Sequence, residues 1–126
     1  RDVAVTGVQT CALPISRRLK ATLRLRPDRI LVGEVRDGAA LALLKAWNTG
    51  HPGGAATVHA NSAPAGLIRM EQLVAEATQA PMQTLIAEAI DLIVSIEKTG
   101  TGRRIKEVVT VEGHDGKQYV TQPIEE

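Results

Sequence analysis

Three kinds of side chain in this sequence could do chemistry together: one carboxylate, Glu34, two histidines, His51 and His59, and a group of arginines, Arg24, Arg26, Arg29 and Arg36. Glu34 closes the run Ile30, Leu31, Val32, Gly33, so it stands at the carboxyl end of an apolar stretch. Ligands of open α/β sheets bind at that end, and a carboxylate there can orient or deprotonate a water held against a phosphate. His59 closes a second apolar stretch and could read the terminal phosphate beside that carboxylate. Guanidinium groups suit bidentate phosphate contacts. Each residue also has a plainer reading. Glu34 could cap its strand and pair with Arg36, and His51 could close a turn onto a backbone carbonyl. His59 could be a satisfied core group, and the arginines a solvated face. A metal site built from Glu34, His51 and His59 is conceivable, but the spacing matches no zinc pattern.

For this chemistry to assemble, two strands must lie side by side and parallel. The apolar run at 30–35 reads as a strand covered on both faces. Asp37 then caps a helix on which Ala40, Leu41, Leu44 and Trp47 share one face, with Leu43 beside it, and Gly50 ends that helix. A tight loop carries His51, and a run of small residues at 56–60 makes the second strand. Strand, helix, strand predicts a right-handed parallel crossover that brings Glu34 and His59 to one crevice. Before it, residues 17–25 read as a helix ended by Pro27. After it, Asn61 or Ser62 caps a third helix with Leu67, Met70, Leu73, Val74 and Ala77 inward. Pro81 starts a fourth, with Met82, Leu85, Ile86, Ala89 and Ile90 inward. A strand at 92–96, an antiparallel partner at 105–111 and a short strand at 118–121 complete an α/β fold with a C-terminal antiparallel hairpin.

Composition narrows the function classes. A chain of 126 residues can bury a core, and a net charge of +1 gives no argument for nucleic acid or an acidic membrane. Aromatic residues are 2%, Trp47 and Tyr119 with no Phe, too few for base-stacking platforms. The single cysteine, Cys11, excludes an internal disulfide and suits a reducing compartment.

Two longer phrases carry more. LRLRPDRILVGEVR at 23–36 resembles the Walker B segment of the traffic ATPases that serve type II and type IV secretion and conjugation, and TGHPGGAATVHANS at 49–62 resembles their histidine box. LLKAWNTGHPGG at 43–54 is most similar to the conjugative-transfer branch of that family. The resemblance implies a RecA-like P-loop ATPase core that uses ATP with Mg2+. It implies Glu34 as the residue that polarises the attacking water and His59 as the histidine near the terminal phosphate, with His51 supporting the loop. It implies that Arg36 braces the site or reaches a neighbour, that Arg24 and Arg26 act across a subunit interface, and that Gly33 replaces the aspartate of other Walker B strands. No direct metal ligand is expected; magnesium would come with ATP, through water near Glu34. The implied partners are further copies of the chain, as a hexamer, and inner-membrane components of a secretion or conjugation apparatus. The implied place is cytoplasmic, peripheral to the bacterial inner membrane. No sequence-specific nucleic-acid binding is expected.

The departures define the expected domain organisation. No phosphate-binding loop of the form G-x-x-x-x-G-K-[ST] is present. Residues 17–126 therefore read as the C-terminal part of such an ATPase domain, inactive alone, and residues 1–16 as a segment foreign to the family. Two alternatives stand: a type II secretion or type IV pilus ATPase, which zinc-binding cysteine pairs would favour, and a non-catalytic assembly module.

Overall fold

A computed structural model describes residues 15–124. Cys11 and most of the segment at 1–16 lie outside the described residues. The chain forms α1 (Ile15–Arg24), β1 (Leu31–Val32), α2 (Ala39–Asn48), β2 (Ala55–Ala56), α3 (Ala63–Val74), α4 (Gln83–Ala89), β3 (Leu92–Thr99), β4 (Gly102–His114) and β5 (Tyr119–Pro123).

Among the described residues the α/β architecture has two sheets. The first is the parallel pair β1–β2, with Leu31 opposite Ala55 and Val32 opposite Ala56. Both strands are shorter than the sequence suggests, yet the ladder reaches past them. Ala55 N–H donates to the Ile30 carbonyl at 3.3 Å, and Val35 N–H to the Thr57 carbonyl at 2.9 Å. The pair is also less enclosed than its apolar run implies. Ile30 and Val35 are buried, but Leu31 is 72% exposed, so the sheet is covered on one face only. The second sheet is an antiparallel meander in the order β3-β4-β5. The strand expected at 92–96 runs on to Thr99 and its partner spans Gly102–His114, around a turn in which Gly102 has φ +151°.

The helices join the two sheets. Faces of α2, α3 and α4 pack on one another, and α3 and α4 lie against the meander. Leu43, Leu44, Leu67, Leu73 and Ile86 are the largest fully buried side chains, each stabilising the fold by about 1.5–3 kcal/mol. The same core takes in Ile30 and Val35 from the first sheet and Val111 from the second. Ala77, expected on the inner face of α3, lies beyond its end and is exposed.

Helix ends follow local chemistry. Ser62 caps α3, its Oγ accepting from Ala65 N–H at 3.2 Å, and Pro64 occupies the first turn. Asp37 acts one residue earlier than a cap: its Oδ1 accepts from Ala39 N–H at 2.9 Å, and Gly38 takes the cap position. α1 ends at Arg24, and Arg26, just before Pro27, has φ +53°, in the left-handed region that a non-glycine residue rarely adopts.

Candidate functional site

The parallel pairing puts Glu34, two residues past β1, beside His59, three residues past β2. His59 Nε2 lies 2.6 Å from Glu34 Oε1. Arg36 Nε reaches the other carboxylate oxygen, Oε2. The Glu34 side chain is 19% exposed, whereas those of His59 and Arg36 are 94% and 79% exposed. A largely covered carboxylate therefore sits at the carboxyl edge of the sheet with two solvent-facing donors on it. A carboxylate so placed can hold a water for attack, and the two donors can bind an anion.

Several features fix this geometry. Thr57 Oγ1 donates to the Gly33 carbonyl, tying β2 to the peptide just before Glu34. A Cβ on Gly33 would meet nothing within 4 Å, so its backbone, rather than a close approach, is what the site uses. Beyond His59, the loop is anchored from the second sheet. Lys106 Nζ donates to the Asn61 carbonyl at 3.4 Å, and Ala63 N–H to Glu107 Oε2 at 3.3 Å. Thr57, Lys106 and Glu107 escaped the sequence reading. Thr57 could have been found as the hydroxyl two places before His59. Nothing local marks Lys106 or Glu107, which act across more than forty residues of chain.

The other expected site residues do not join this cluster. His51 Nδ1 lies 2.9 Å from the Pro27 carbonyl. A carbonyl only accepts, so Nδ1 carries the proton and donates. This contact lies before both strands, at the end of the pair opposite Glu34. The plainer reading of His51, closure onto a carbonyl, is what the structure has. Arg29 lies along Gly53 at the same end. Arg24 and Arg26 are exposed and make no side-chain hydrogen bond or ion pair among the described residues.

Trp47 and Gly54 complete that opposite end. Trp47 Nε1 donates to the Ile30 carbonyl at 3.2 Å. A Cβ on Gly54 would fall on the Ile30 oxygen and on Trp47 Nε1, so only glycine lets β2 start there. Among the described residues, no three His, Cys, Asp or Glu side chains stand close enough together to hold a metal ion. No described helix is long and apolar enough to cross a membrane.

The sequence model of the family described as Type II/IV secretion system protein matches residues 2–112. That span takes in most of the segment set apart at the N-terminus. Among curated proteins, the conjugal transfer protein TrbB of Rhizobium radiobacter is 63% identical over 108 residues, covering 86% of this chain and 33% of its own length. The protein VirB11 of Agrobacterium fabrum is 38% identical, covering 81% of this chain and 31% of itself. Among solved structures, the VirB11 ATPase of the Brucella suis type IV secretion system, in complex with sulphate, matches with a TM-score of 0.69 at 28% identity, over 76% of this chain and 31% of that one. The chain spans about a third of the length of the curated relatives it matches.

Proposed function

The chain belongs to the type II/IV secretion system protein family, and from that premise we propose that residues 17–126 form the C-terminal, catalytic-edge part of a longer ATPase that powers conjugative transfer or type IV secretion. The observation that carries the reading is the Glu34 carboxylate at the carboxyl edge of a parallel strand pair, 2.6 Å from His59. In the proposed reaction Glu34 holds a water against the terminal phosphorus of ATP. The water oxygen bonds to phosphorus as the bridging P–O bond breaks, ADP leaves with the electron pair, and a water proton passes to the carboxylate. His59 and Arg36 face the terminal phosphate oxygens. Magnesium would come with the nucleotide, through water near Glu34, and would neutralise phosphate charge.

The conjugative reading is favoured over a type II secretion or pilus ATPase by the 63% identity to a conjugal transfer protein. A RecA-like core, a homo-hexamer, docking to inner-membrane components and a cytoplasmic, membrane-peripheral place are parts of the same proposal. His51 supports the loop entering β2, and Arg24 and Arg26, both exposed, would meet a neighbouring copy.

The test compares two proteins. The full-length protein should hydrolyse magnesium–ATP. This chain alone should neither hydrolyse it nor bind it tightly, because the N–H cradle and lysine of a phosphate loop are not in its sequence. Isothermal titration and phosphate release measure both. Micromolar binding by this chain, or no turnover by the full-length protein, would overturn the reading.

A further inference from the structure

Both oxygens of the Glu34 carboxylate are taken, Oε1 by His59 Nε2 and Oε2 by Arg36 Nε. Each donor takes an acceptor position that a water held for attack would use. In this arrangement the two donors stand where that water would bind. The two donors, by contrast, have almost no other attachment. His59 and Arg36 are 94% and 79% exposed, and among the described residues neither side chain makes a second hydrogen bond or ion pair. What holds them is Glu34, and each can leave it by a side-chain rotation with no repacking of the core.

We infer that His59 and Arg36 form a clamp on Glu34 that the terminal phosphate itself releases. An incoming phosphate group carries more negative charge and more acceptor oxygens than one carboxylate, and a guanidinium binds it bidentately. When it arrives at the strand edge, the two donors pass from Glu34 to phosphate oxygens. The carboxylate oxygens are then open to accept from a water placed against the phosphate. The base is thus uncovered only when there is a phosphate to attack. The inference rests on the functional reading above and adds to it the way in which turnover is tied to phosphate occupancy. No covalent step is involved in the handover; two sets of hydrogen bonds change their acceptor.

The test uses the full-length protein in two structures, one without nucleotide and one with magnesium, ADP and aluminium fluoride. Without nucleotide, His59 and Arg36 should lie on Glu34. With the analogue they should lie on the fluoride group, and a water should lie against Glu34. Donors that stay on Glu34 with the analogue in place would overturn the clamp while leaving the functional reading intact. An analogue seated away from Glu34 would overturn both. Kinetics add a second reading. Arg36→Ala should lower kcat by about 10²-fold, typical of one lost transition-state donor, with KM changed by less than about threefold, and Arg36→Lys, which keeps a cationic donor, should recover most of the loss. A brace that only supports the fold would instead shift thermal stability, leave kcat near the parent value and show no difference between Ala and Lys; that result would overturn the handover.

Discussion

Gly54→Ala tests how the strand pair is set. The added methyl group would fall on the Ile30 carbonyl oxygen and on Trp47 Nε1, with Trp47 Cδ1 at 3.0 Å. That oxygen accepts from two donors, Trp47 Nε1 at 3.2 Å and Ala55 N–H at 3.3 Å. Neither it nor the indole can yield cheaply, since one is backbone and the other is packed against the core. Losing the two hydrogen bonds costs about 1 kcal/mol each, and forcing a methyl group into the gap costs roughly a further 1–3 kcal/mol. The expected loss is about 3–5 kcal/mol, a large share of a typical domain's ~5–15 kcal/mol. Urea unfolding of this chain should show the midpoint falling by about 2 M at a slope of ~2 kcal/mol/M. Trp47→Phe removes one hydrogen bond without a clash and should cost only about 1 kcal/mol. In the full-length protein Gly54→Ala should also cut turnover, because β2 carries His59 to Glu34 and a misplacement of ~1 Å can cost about 10²-fold. A Gly54→Ala protein within about 1 kcal/mol of the parent would refute this account of the strand start.

Other consequences can be measured on the same material. Among the described residues the buried Tyr119 hydroxyl has no hydrogen-bond partner, and burial, then the Glu71 carboxylate, pushes its pKa well above the usual phenol value; Tyr119→Phe should therefore be neutral or stabilising by up to about 1 kcal/mol in urea unfolding. The Asp115 carboxylate accepts from Lys117 N–H at 2.8 Å and Gln118 N–H at 2.9 Å, and these bonds hold its pKa below the ordinary value. A lowered folded pKa means the contribution is complete above the unfolded value and lost as pH falls through the folded one, so Asp115→Ala should narrow the gap to the parent below about pH 4. His51→Ala should lower stability by about 1 kcal/mol through loss of the Pro27 contact, with its larger effect on unfolding and that of His59→Ala on turnover.

How far the sequence reaches is clear from particular residues. The parallel neighbours, the caps of α3 and the meeting of Glu34 with His59 were legible, because strand–helix–strand patterning leaves few topologies. Leu31 was misread as covered: an apolar run shows which residues avoid water, not whether a layer lies over both faces. The strand lengths were overread because a two-strand sheet gives each strand one hydrogen-bonding neighbour. His51 reads from the sequence as the residue supporting the loop, apart from His59. Its place before β2 and not after it sends it to the other end of the sheet. The anchors Lys106 and Glu107 were invisible, since they depend on tertiary pairing between β4 and the α3 entry.

The most direct test of the central claim is the turnover of Glu34→Gln in the full-length protein, measured beside its ATP affinity. Glutamine keeps the shape of the side chain but cannot take a proton. If Glu34 acts on the attacking water, kcat should fall by about 10²–10⁴-fold while ATP still binds. An unchanged kcat would contradict the account and leave Glu34 as a strand-end partner of Arg36.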